Sequence, residues 1–144
     1  MTIITQSDLA TNMYAEVIDE ITRSDSSITD RAISVAIQES KMYLSRFDLV
    51  QLFGTDTSDP TVHDEYLNSL VKDLACWHLL RSSNVSADQA IYRTAYEDAI
   101  AALKNIMTGA AQPDGWPYLD KSAESEPQGD SISWNSNLKR NNYY

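Results

Sequence analysis

Three stretches of the chain repeat apolar residues every three or four positions, the spacing that lines one face of an α-helix. The clearest runs from 86 to 109. Ser86 is a good N-cap, Gln89 three residues on completes a capping box, and Asp88 adds favourable charge to the first turn. Ile91, Ala95, Ala99, Leu103 and Ile106 make the stripe, broadened by Tyr92, Tyr96, Ile100 and Met107, and Gly109 supplies a left-handed stop. A second helix is expected over 27–47, opening on Ser27 with Asp30 and carrying Ile33, Ala36, Ile37, Tyr43, Leu44 and Phe47 on one face. Ser40 interrupts that row with a side chain small enough for a neighbouring helix to come close. The third, over 64–82, has Tyr66, Leu67, Leu70, Val71, Leu74, Ala75, Trp77, His78 and Leu79 around so much of its circumference that it should be the most buried.

The rest of the pattern is shorter. Thr5 or Ser7 can cap a turn over Leu9 to Met13, and Val17, Ile18 and Ile21 mark a second turn over 15–21; neither is long enough to stand alone. Leu49, Val50, Leu52 and Phe53 crowd before Gly54, a turn that folds its apolar groups back under the helices. Residues 54–62 form a loop by composition, because Asp59 precedes a proline. From 110 the periodicity stops. The segment holds three of the four prolines with many Ser and Asn, yet carries Trp116, Tyr118, Leu119, Trp134, Tyr143 and Tyr144. The expectation is an all-α protein, an antiparallel bundle of three main helices plus short N-terminal helices, with an extended C-terminal tail. A helical domain fills 1–109 and the tail 110–144. The expected core is Ile33, Ile37, Tyr43, Leu44, Phe47, Leu70, Leu74, Trp77, Tyr92, Ala95, Leu103, Ile106 and Gly109.

Charge narrows the partners. The chain carries 11 basic and 21 acidic residues for a net charge of −10, and the excess is spread over both parts, 16 acids against 8 bases in 1–109 and 5 against 3 in 110–144. That argues against wrapping the outside of DNA, which needs clustered cations, and suits a wall along which DNA slides. Asp56, Asp59 and Asp64 lack the alternating spacing, central glycine and closing glutamate of a calcium loop. The single Cys76 sits in an apolar run and reads as a small core residue. His78, without a second ligand at i+4, reads as a satisfied structural histidine. No phosphate-cradling loop, metal framework or nucleophile elbow stands out, so no cofactor is expected. An enzyme would have to assemble scattered residues such as His63, His78, Asp73 and Tyr92. The N-terminal residues show neither a signal peptide nor a membrane span, which points to a reducing cytoplasm or something assembled there.

Isolated aromatics in a polar tail are typical of segments that order on a partner. Trp116 and Tyr118, held semi-rigid by Pro113 and Pro117, are the strongest expected anchors. The alternative is a flexible tail whose rings brush their own helices.

Order and spacing of the core residues also carry a likeness. Met42-Tyr43-Leu44-Ser45-Arg46-Phe47-Asp48-Leu49 at a helix end, then Leu74 to Leu80, then Tyr92 to Tyr96 running through Ala102 to Gly109, resemble the small helical head-completion proteins of tailed bacteriophages. These are head-to-tail connectors or adaptors, among them the virion protein of Mu-like prophages. The resemblance covers roughly residues 5–109. It implies a non-enzymatic protein that docks under the portal protein as a ring of twelve copies and extends the DNA channel toward a stopper or tail-completion protein. It also implies residence in the virion after assembly in the bacterial cytoplasm. The region from Gly109 onward is longer and richer in aromatics than the Mu-like pattern. On this reading, removing residues 110–144 leaves a folded bundle that no longer joins portal-bearing particles. The competing reading is a small regulatory protein that offers its aromatic tail to a host or viral partner.

Overall fold

Aspartates start most of the helices in this acidic chain. In the computed structural model, which describes residues 3–83 and 88–120, six helices follow one another: α1 (Gln6–Leu9), α2 (Ala15–Thr22), α3 (Ser26–Tyr43), α4 (Leu49–Phe53), α5 (Glu65–Arg81) and α6 (Gln89–Thr108). The carboxylates of Asp25, Asp48, Asp64 and Asp88 accept backbone N–H bonds from the first turns of α3, α4, α5 and α6 at 2.8–3.2 Å, meeting donors that a helix start otherwise leaves unpaired. In α1 the Thr5 N–H donates to Asp8 Oδ2 at 2.7 Å, the return half of a capping box.

Two expected helix starts therefore move. Asp25, not Ser27, opens α3, and Asp88, not Ser86, opens α6; Ser86 itself lies outside the described residues. The end of α3 moves as well. It stops at Tyr43 with Leu44 as its cap, so Phe47 reaches the core from the following turn and not from the helix. At the other boundary of that turn, Gly54 has φ +72° and a Cβ there would lie 2.6 Å from the Ser58 carbonyl oxygen, so only glycine fits.

The chain is mostly helical, with no strand among the described residues. Helices α3, α5 and α6 all pack against one another, with α1 against α3 and α5 and α2 against α3. Helix α5 is the most enclosed: Leu67, Leu70, Val71, Leu74, Ala75, Cys76, Leu79 and Leu80 are all buried. The buried face of α3 carries, beside Thr29 and Ile33, a row of small residues, Ala32, Ala36 and Ser40, each four apart, and the Ser40 hydroxyl donates back to the Ala36 carbonyl at 2.8 Å. Ile4, Leu9, Met13, Ile18 and Ile21 from the N-terminal turns complete the core.

The α6 stripe is narrower than its sequence pattern. Ala99, Leu103 and Ile106 are buried, while Ile91 is 64% and Met107 44% exposed. Ile91, eight residues before Ala99, sits about 80° around the helix from it, and Met107, one after Ile106, about 100°. Tyr66 on α5 is likewise exposed. Of the expected core, Ile33, Leu44, Phe47, Leu70, Leu74, Leu103 and Ile106 are buried; Ile37, Tyr43, Trp77, Tyr92, Ala95 and Gly109 are half-buried. No helix among the described residues is long and apolar enough to cross a membrane.

Candidate functional site

After Gly109 ends α6 with φ +82°, the chain turns back on the helices. The Ala111 N–H donates to the Asn105 carbonyl, and residues 116–119 then lie beside residues 46–48. Asp48 N–H donates to the Pro117 carbonyl at 2.9 Å and Leu119 N–H to the Arg46 carbonyl at 3.1 Å, which flank an isolated antiparallel bridge between Phe47 and Tyr118. Trp116 is 4% exposed. Its indole meets the Phe47 ring edge to face at 5.4 Å, and its Nε1–H donates to Asp64 Oδ2 at 2.8 Å. Tyr118 stacks on Phe47 at 5.0 Å, and the Arg46 guanidinium lies over both rings at 5.7 and 5.3 Å.

This corrects the expected role of Trp116. A ring wholly covered by its own chain, with its one donor used, is an internal anchor. Within the segment expected as a tail, residues 116–119 thus lie against residues 46–48. Tyr118 and Leu119 keep 52% and 42% of their surface exposed, so each presents a face outward while its backbone is tied down. Trp134, Tyr143 and Tyr144 lie outside the described residues.

A second constellation joins the three long helices. Glu39 of α3 accepts from His78 Nε2 of α5 at 2.7 Å on one carboxylate oxygen and from the Tyr96 hydroxyl of α6 at 2.8 Å on the other. Both Glu39 and His78 keep about 17% of their side-chain surface, and the His78 ring meets Tyr96 edge to face. Burial first, then the bond to Glu39, pushes the Tyr96 hydroxyl up to about 12. A carboxylate that orients an imidazole is the geometry of a positioned base, and equally of a histidine pinned for structure. Sequence spacing misses Glu39, because a test at i+4 looks only along one helix. One signal was there: Glu39 follows Ala36 by three and precedes Tyr43 by four, a charged residue at the edge of an apolar row.

The scattered residues of an enzyme reading are not gathered. His63 is exposed on the loop before α5; Asp73 accepts from Asn12 at 2.8 Å, burial raising its pKa; His78 is held by Glu39. No hydrogen bond or ring contact among the described residues joins any two of His63, Asp73, His78 and Tyr92. Cys76 is 1% exposed and burial pushes its thiol up to about 12, the state of an inert core residue.

Two shallow cavities, about 340 and 540 Å³, open beside the Glu39 cluster and share Val35 and His78 in their walls. They form one trough along α3. Comparison with known protein families, with characterised proteins and with solved structures finds no match.

Proposed function

We propose that this chain is a non-enzymatic structural protein of a tailed bacteriophage, a head-completion connector that forms a ring between portal and tail and carries the DNA channel through it. On this reading α3, α5 and α6 are an antiparallel three-helix bundle, and copies meet head to tail, a contact that closes only when the rotation per subunit divides a full turn. The portal acts as the template that sets it, at twelve copies.

The observation that carries the reading is the place of the Arg46-Phe47-Asp48-Leu49 sequence. These residues, which bear much of the likeness to connectors, form the junction that receives the C-terminal segment: Arg46 covers the rings, Phe47 stacks between them, and Asp48 both caps α4 and binds Pro117. A surface that already takes an extended segment by backbone bonding and ring stacking supports a protein that works by docking. The net charge of −10 supports a lumen that repels DNA weakly and leaves it mobile. Residues 121–144, with Trp134, Tyr143 and Tyr144, are then the segment that reaches the portal or the next subunit.

The test uses two chains, the full one and one ending at Asp120, each mixed with purified portal rings and followed by mass measurement and electron microscopy. The expected result is a defined number of full-length copies on each ring and weaker or no incorporation of the shorter chain. Failure of the full chain to associate with portal overturns the proposal.

A further inference from the structure

The trough along α3 has a regular floor and two arginines on its rim. Ile28, Val35 and Met42 recur every seven residues on α3, so they line one side of the helix over about 21 Å at 1.5 Å per residue. Ile28 is half-buried, Val35 is 42% exposed and Met42 70% exposed. The cavities on this side are walled by Ile28 and Val35 at one end and by Val35 and Met42 at the other, with His78 shared between them.

The charges around the trough are uneven for so acidic a chain. Arg31 stands beside one cavity and Arg81 beside the other, and neither is in an ion pair among the described residues. The one carboxylate in the walls, Glu39, has its two oxygens taken by His78 and Tyr96. An apolar seam with unpaired guanidinium groups on its rim complements a ligand that is apolar along one face and acidic beside it. Its length, about four helical turns, and its seven-residue repeat match a helix lying in a groove.

We propose that the α3 trough binds an acidic amphipathic helix of a partner protein, with apolar side chains at seven-residue spacing seated over Val35 and Met42 and carboxylates meeting Arg31 and Arg81. The site is separate from the C-terminal junction at Arg46 and does not depend on the portal reading.

The probe is a fluorescent synthetic helix of about four turns, with leucines seven apart flanked by glutamates, titrated into the full-length protein and read by anisotropy. A matched peptide with lysine in place of every glutamate serves as the control. Saturable binding of the acidic peptide is expected, at least about ten-fold tighter than the lysine peptide and weakening with salt. Arg31→Glu with Arg81→Glu should lose about ten-fold or more, and Met42→Asn a similar amount, with unchanged circular dichroism because these side chains are exposed or on the rim. The proposal is overturned by equal binding of both peptides, by variants that bind like the parent, or by no binding at all. It is overturned too if binding appears only after truncation at Asp120, which would make residues 121–144 the occupant, or if Met42→Asn instead dissolves a self-associated form of the free protein.

Discussion

Asp64 makes two bonds with different consequences. Its Oδ1 accepts from the Leu67 N–H and starts α5, while its Oδ2 holds the Trp116 indole. Trp116→Ala removes a buried ring, its edge contact with Phe47 and a charge-assisted hydrogen bond, and should cost about 3–5 kcal/mol in urea unfolding followed by circular dichroism. Asp64→Asn keeps a good N-cap but weakens the indole bond, so it should cost less than Asp64→Ala. A double-mutant cycle between Asp64→Ala and Trp116→Ala should return a coupling of about 1 kcal/mol or more; additive losses would mean the bond contributes nothing. The cap can be read from the chain but the indole bond cannot, because its partner lies 52 residues away. The same reason hides Glu39 as the mate of His78, 39 residues apart.

At the scale of elements, the segment after α6 behaves as one. Its holdings are a buried tryptophan, two backbone bonds to Arg46 and Asp48, and one stacked ring. A chain ending at Gly109 uncovers Phe47 and should unfold at clearly lower denaturant, by about 3 kcal/mol or more, than a chain ending at Asp120. Equal midpoints would show that the segment adds no stability. The loss of portal binding expected from deleting all of 110–144 therefore confounds docking with folding, and the cut after Asp120 separates them. The helices themselves were legible wherever the information is local. Periodicity located α3, α5 and α6, and Asp64 announced the start of α5. Where several polar residues competed for a cap, as Asp25 with Ser27 or Asp88 with Ser86, the pattern could not rank them, since each offers an acceptor and tertiary packing decides the first turn. Trp116 follows no period at all, so nothing local distinguishes a ring destined for its own core from one meant for another protein.

For the whole molecule, alkaline pH tests how tightly the core is shut. Burial raises Cys76 from 9.0 to about 12, and burial with the Glu39 bond raises Tyr96 from 10.0 to about 12. Both folded values exceed the unfolded ones, so above pH 9 the unfolded chain has given up protons that the folded one keeps. Their contribution is full below pH 9 and fades as pH climbs to about 12. Stability should decline over that interval, and Cys76→Ala should make the decline shallower; an unchanged slope would place the thiol in contact with water. The acid side runs the other way. Asp8, Asp25 and Asp48 have carboxyls held below the usual value by the side chains and N–H groups of Thr5, Ser27 and Gln51, so the help they give their helices is lost as pH falls through that lowered range.

The paired duties of Asp64 also set an order of events during synthesis. The first turn of the central helix and the ring that seals its flank are separated by most of the polypeptide that builds α5 and α6. A nascent chain can wind those helices early, but it can close over Phe47 only once Trp116 has left the ribosome, so the final tightening of the core comes after α5 and α6 have been made.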